Sequence, residues 1–165
     1  MNAQQYNAIS QPLRQRPALL RALTVANIAL TCLGYVMYPL LVAVLFATHD
    51  AFLLRCIVVP AVSFVLVSVL RAAVNQPRPY EALDIVPLIA KDTQGKSFPS
   101  RHAFSIIMIA LCWLYWLVPV GVFMLVAGVI LSVVRVLVGV HYPHDVVAGA
   151  LIGAACGVVG FWVIP

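Results

Sequence analysis

Charged side chains are scarce in this sequence: Lys and Arg number 10 and Asp and Glu 5 among 165 residues, 9% of the chain, against 64% hydrophobic residues. Soluble globular domains carry roughly 25% charged and 45–50% apolar residues, so the deficit excludes an ordinary water-soluble domain and points to a membrane protein. Paired cysteine is also lacking. Cys32, Cys56, Cys112 and Cys156 stand singly in apolar stretches, which leaves neither a disulfide framework nor a cysteine metal site and reads as small hydrophobic packing. No Pro/Gly/Ser linker, repeat or low-complexity tract divides the chain, so one domain over residues 1–165 is expected. The first apolar run, Ala22–Ala47, has no small-residue processing point and is expected to be a retained helix rather than a signal peptide.

The formal charge of +5 raises the question of nucleic acid. A nucleic-acid binder needs its basic residues on a solvated face, whereas here they flank or interrupt apolar runs, so the lipid bilayer is the expected partner and no protein partner is readable. A bilayer core about 30 Å thick needs roughly 20 helical residues. Five stretches come close: Ala22–Ala47, Phe52–Leu70, Ala103–Val120, Gly121–Val140 and Val146–Ile164, with turns expected at His49-Asp50, Pro119–Gly121 and His141–His144. The expected fold is therefore all-α, a bundle of about five transmembrane helices preceded by a polar, basic segment 1–21. The connections are short except residues 71–102, where Pro77, Pro79, Pro87, Pro99 and Gly95 break any long helix. A loop of that length in a compact domain is usually functional or disordered.

Arg135 interrupts the fourth run in the stretch Val133–Val138. A charge at the centre of a membrane helix costs about 2.5–3.5 kcal/mol on insertion scales and is seldom kept without a partner or a role. It belongs to the last of three clusters that an up-and-down threading places on one side of the membrane: Arg71-x6-Arg78-Pro79, then Pro99-Ser100-Arg101-His102, then Arg135-x5-His141-x3-Asp145. Asp145, four residues after His141, is placed to hold the imidazole in one tautomer and to stabilise its cation. Phosphoryl transfer asks a protein chiefly for positioning and for positive charge around three equatorial oxygens. Arg71, Arg78 and Arg135 offer planar forks for that purpose, Ser100 adds a hydroxyl, and the pair His102 and His141 allows one nucleophile and one general acid. Taken singly, each histidine reads as an ordinary interfacial residue and Ser100 as a helix cap; the joint pattern reverses that balance. His144 reads as a turn residue, and Trp113, Tyr115 and Trp116 as an interfacial belt.

The three ordered motifs resemble the type 2 phosphatidic acid phosphatase superfamily, whose pattern is K-x6-RP, then PSGH, then SR-x5-H-x3-D. The resemblance covers Arg71 to Asp145. It implies that His141 attacks phosphorus to give a phosphohistidine, that Asp145 orients it, and that His102 protonates the leaving oxygen and later helps activate water. It implies further that Arg71, Arg78, Ser100, Arg101 and Arg135 bind the phosphate, with no metal or cofactor required. Three positions depart from the pattern: Arg71 replaces lysine, Arg101 replaces glycine, and Val134 stands where the pattern has serine.

The expected function is thus a membrane lipid phosphatase acting on a terminal phosphate of a phospholipid or polyprenyl (pyro)phosphate. An anion or phospholipid binding or transport protein built on the same arginine cluster is the alternative. A zinc site made of His102, His141, His144 and Asp145 is disfavoured by the converging arginines, and haloperoxidase chemistry by the hydrophobicity of the chain. The expected location is the cytoplasmic membrane. Arg14, Arg16 and Arg21 argue that the active-site face is cytoplasmic by the positive-inside rule, while the family resemblance leans to the extracytoplasmic face.

Overall fold

The computed structural model describes residues 1–164, and helices are the one regular structure among them. Within the polar N-terminal segment, α1 (Ala3–Arg14) opens on a capping box: the Asn2 side chain accepts from the Gln5 N–H at 2.9 Å, and the Gln5 side chain accepts from the Asn2 N–H at 3.0 Å. Helix α2 (Pro17–Ala47) then begins with proline at its first position, where the missing N–H costs nothing. It starts five residues ahead of the expected Ala22 and so takes in Arg21.

Helix α3 (Phe52–Val74) runs past the expected end at Leu70, because no breaker lies between Leu70 and Asn75, which closes it in the left-handed conformation at φ 41°. Arg71 consequently sits on the last turn of this helix rather than in the loop. Residues 75–100 contain only the single turn α4 (Pro79–Ala82). Ser100 caps α5 (Arg101–Trp116), and α6 (Val118–Leu137) follows after the single non-helical residue Leu117. The turn expected at Pro119–Gly121 is instead the first turn of α6, a position proline tolerates. Likewise α7 (Pro143–Val158) begins at Pro143, ahead of the expected Val146, and continues into a π-helical turn, Val159–Val163.

Among the described residues four helical runs are long and apolar enough to cross a membrane: Pro17–Ala47, Phe52–Ala82 counting α4 with α3, Val118–Leu137 and Pro143–Val163. The expected fifth, α5, is apolar but has 16 residues, about 24 Å at 1.5 Å per residue and short of a ~30 Å hydrocarbon core. It forms the centre of the bundle, packed chiefly against α6 and α7 and also touching α2 and α3. Its residues Phe104, Ile106, Met108 and Leu111 join Leu41, Leu45, Met124, Leu131 and Phe161 in the main core. Outward-facing Leu54, Val58, Val62, Val65, Leu66 and Val69 of α3 are exposed, an apolar surface that a soluble monomer rarely tolerates and that lipid would cover.

One contact fixes the geometry that matters for function. A Cβ at Gly149 would lie 2.3 Å from the Ser100 carbonyl oxygen, and one at Gly153 would lie 2.7 Å from that of Phe104. Glycines four residues apart thus let the backbone of α7 meet the first turns of α5, as small-residue stripes do in membrane helix pairs. The Ser100 N–H then donates to the Asp145 carbonyl at 2.8 Å. The far end of the bundle is closed by the aromatic group Phe52, Tyr115, Phe161 and Trp162, where Trp116 Nε1 donates to Asp50 at 3.1 Å. Trp113 is buried, donating to the Met37 carbonyl at 3.0 Å, and is a core residue rather than part of a lipid-facing belt.

Candidate active site

Four helix ends meet at the other end of the bundle: the last turns of α3 and α6 and the first turns of α5 and α7. His141 sits in the turn between α6 and α7, two residues before Pro143, and is 2% exposed. Asp145, the third residue of α7 and fully buried, folds back so that Oδ2 accepts from the Tyr142 N–H at 2.9 Å. The same oxygen lies 3.4 Å from His141 Nδ1 and accepts from the Ser97 hydroxyl at 2.5 Å. Ser97 Oγ is itself 3.4 Å from His141 Nδ1. With Nδ1 occupied on this side, Nε2 is the ring nitrogen left free to act as a nucleophile.

Burial pushes the His141 imidazole down to about 4; the Asp145 hydrogen bond opposes that shift and the charge of Arg78 adds to it. At neutral pH the ring is therefore uncharged, the form in which a histidine can attack an electrophile. Oδ1 of Asp145 takes no hydrogen bond, and His144 Nε2 stands 3.1 Å from it. His144 also meets the Gln76 amide at 3.1 Å and stacks on Tyr142, so it lies against the carboxylate and not merely in the turn.

The arginines are placed differently from one another. Arg71 donates to the carbonyls of Lys96, Ser97 and Pro99, which makes it a strut that holds the loop of residues 96–99 against α3. Arg78 gives Nε to Gly95 O at 3.2 Å and Nη1 to Val140 O at 3.4 Å, tying the loop to the turn that carries His141. Glu81 reinforces this corner by accepting from the N–H groups of Arg78 at 2.7 Å and Gly95 at 2.9 Å. Arg135 is 4% exposed; its Nη1 donates to the Asn27 side-chain oxygen on α2 at 3.2 Å, and its Nε is buried without a partner. An unpaired donor in such a position costs about 1–3 kcal/mol, a cost that an anion bound there would offset by supplying the missing acceptor.

Lys91 adds a further cation. Leu88 N–H donates to Val138 O at 3.0 Å, and Leu88 and Ile89 pack on Val134, Val138 and Val140, so the loop lies along the end of α6. Burial, then Arg135 and Arg78, pull the Lys91 ammonium below its ordinary range.

Ser100 is fully buried; its Oγ accepts from the Ala103 N–H at 3.5 Å, leaving the hydroxyl hydrogen available. His102 lies on the first turn of α5, near enough to Arg135, Lys91 and Arg101 for their charges to act on it. Arg101 is exposed, its guanidinium 5.6 Å from the centre of the Phe64 ring. Both line one end of an apolar groove of about 530 Å³ between α2, α3 and α5, walled by Leu30, Gly34, Pro60, Phe64 and Met108.

All eight residues singled out in the sequence thus gather at one end of the bundle. Ser97 and Asn27 were not singled out, although both left a trace. Ser97 directly precedes Phe98-Pro99-Ser100, and Asn27 is an amide inside an apolar run, where a buried polar group requires a partner.

The chain has relatives among known proteins. A family model described as the PAP2 superfamily matches residues 52–165. The chain is 32% identical over 88 residues to the bacitracin transport permease protein BcrC of Bacillus licheniformis, a match covering 53% of this chain and 43% of the relative. It is 32% identical over 97 residues to an undecaprenyl-diphosphatase of Sulfolobus acidocaldarius, covering 56% of this chain and 46% of the relative. The matches therefore span less than half the length of those two curated relatives. Among solved structures, LpxE of Aquifex aeolicus superposes with a TM-score of 0.75 at 29% identity, covering 96% of this chain and 93% of that one. A transmembrane PAP2-type phosphatidylglycerolphosphate phosphatase from Bacillus subtilis gives a TM-score of 0.70 at 26% identity, covering 97% and 85%.

Proposed function

The chain belongs to the PAP2 superfamily, and on that premise we propose that it is an integral membrane phosphatase that hydrolyses the terminal phosphate of a phospholipid or polyprenyl (pyro)phosphate through a phosphohistidine. The observation that carries this reading is the buried, neutral His141, with Nδ1 turned to Asp145 and Ser97 while the charges of Arg78 and Arg135 act on the ring. Its Nε2 lone pair attacks phosphorus, forming a P–N bond as the bond from phosphorus to the leaving oxygen breaks. His102 gives that oxygen a proton. In the second half His102 takes a proton from water, the water oxygen bonds to phosphorus, the P–N bond breaks, and inorganic phosphate leaves with His141 restored.

Charge on the equatorial oxygens develops where Arg78 and Arg135 supply guanidinium donors. Asp145 holds the imidazole through its rise to a cation and its return. A lipid substrate is favoured by the apolar groove that starts at Arg101 and His102 and runs down among the helices, since a headgroup bound at the arginines would leave its hydrocarbon chain in that channel. A fifth crossing by α5 and a position in the cytoplasmic membrane, with the catalytic end on the extracytoplasmic face, complete the proposal.

Phosphate release by the purified protein from phosphatidic acid, phosphatidylglycerol phosphate and undecaprenyl diphosphate tests it, with His141→Ala as the control. Turnover of at least one lipid by the wild type and none by the variant is expected. Near-wild-type rates in His141→Ala would overturn the mechanism and favour a binding or transport role.

A further inference from the structure

Helix α2 lies ahead of the family-matched stretch 52–165, yet its Asn27 side chain reaches Arg135 of the candidate site. In its apolar run the hydroxyls of Thr24 and Thr31 bond back to their own helix, to Leu20 O at 2.9 Å and Asn27 O at 2.7 Å, as hydroxyl side chains in membrane helices commonly do. Asn27 is different. Its Oδ1 accepts from Arg135 Nη1 at 3.2 Å, across 108 residues of chain.

This is the sole hydrogen bond the guanidinium makes among the described residues, and Nε on its other edge is buried with no partner. A planar fork held at one corner has its remaining donors aimed by that corner. We propose that Asn27 is a positioning residue: it takes Nη1 of Arg135 so that the opposite edge of the guanidinium faces the phosphate. An amide suits this task better than a carboxylate would. An Asp at this position would fix the same corner but neutralise the cation that must attract a phosphate dianion, whereas Asn orients the fork and leaves its charge in place. On this account the catalytic unit is larger than the family-matched region, because a helix outside that region sets the angle of one of its arginines.

The inference rests on the proposed phosphatase reading, and the experiment separates the two. The full chain is purified in detergent as wild type, Asn27→Ala, Arg135→Ala and the double variant. Asn27→Leu, nearly isosteric and easier to insert into a bilayer, serves as a second truncation. The measurements are kcat and KM for phosphate release, the affinity for orthovanadate as a tetrahedral anion that reaches five-coordinate geometry, and the thermal midpoint.

Losing an orienting bond to a charged group is expected to reduce kcat/KM about tenfold or more and to weaken orthovanadate binding by a similar factor, with the thermal midpoint little changed. In the Arg135→Ala background, removing Asn27 is expected to change either quantity less than twofold, because the group it aims is gone. Effects that multiply in the double variant, or wild-type kcat/KM in both Asn27→Ala and Asn27→Leu, would overturn the inference. A wild type that releases phosphate from no lipid would instead overturn the functional reading on which it stands.

Discussion

Replacing Asp145 by Asn removes one charge and almost nothing else, which makes it the most discriminating change available in the site. Oδ2 receives the Tyr142 N–H at 2.9 Å and the Ser97 hydroxyl at 2.5 Å. An asparagine can keep its oxygen in that place and turn its NH2 toward the Oδ1 position, which accepts no hydrogen bond in the wild type; His144 Nε2 stands 3.1 Å from it, its lone pair already taken by the Gln76 amide. The bonds that Oδ2 accepts are therefore kept. His141 loses the anion beside Nδ1 that supports its imidazole as it becomes positive. A hydrogen bond to a charged group is worth about 1.5–3 kcal/mol, and at 1.36 kcal/mol per tenfold in rate its loss predicts a fall in kcat of roughly 10- to 150-fold. Phosphate release under saturating lipid, read beside a thermal unfolding curve in the same detergent, is the assay. A variant as stable as the wild type but within threefold of its kcat would refute the role given to Asp145. A variant that unfolds would refute the premise that the accepted bonds alone hold this turn.

Two further outcomes follow from the burial of His141 and from the close approach of α5 and α7. Because the folded chain holds His141 at about 4, below the ~6.5 of an exposed histidine, the unfolded chain binds a proton that the folded chain refuses. This group's contribution to stability is complete above pH 6.5 and is lost as pH falls toward 4, by about 3 kcal/mol in total. The thermal midpoint of the wild type should drop more steeply over that window than that of His141→Gln, and parallel curves would contradict the burial assigned to the imidazole. At the α5–α7 contact, Gly149→Ala drives a methyl to 2.3 Å from the Ser100 carbonyl oxygen, an overpacking expected to cost about 1–3 kcal/mol and to lower kcat as well, since it separates Ser100 from Asp145. Wild-type activity in that variant would show that the two helix ends need no such close approach.

The legible part of the site was the part written in spacing. Asp145 four residues after His141, and Arg135 six residues before it, place three groups on one helix–turn–helix whatever the rest of the chain does. The same holds for Ser100 and His102 at the head of a helix. Arg71 was found by its spacing from Arg78, but what it touches was not, because its guanidinium turns back on the carbonyls of residues 96–99 and no local pattern encodes that turn. Helix boundaries shifted for similar reasons: Pro119 and Pro143 read as breakers in a linear scan, yet each sits in a first helical turn where its missing N–H is harmless.

Composition and hydropathy by themselves determined that this chain is helical and lies in a membrane, since a chain with 9% charge cannot be solvated by water alone, and a backbone in hydrocarbon must satisfy its own hydrogen bonds. Motif order pointed to the PAP2 superfamily. Tertiary structure alone decided which groups share the site from far apart in sequence: Asn27 beside Arg135, Ser97 between His141 and Asp145, and the groove that runs from Arg101 and His102 among α2, α3 and α5. Those pairings depend on how closely helices approach and which faces they turn to one another. Glycines 149 and 153 set that approach for α5 and α7 through contacts with backbone oxygens about 50 residues earlier in the chain, a relation that exists only once the helices are packed.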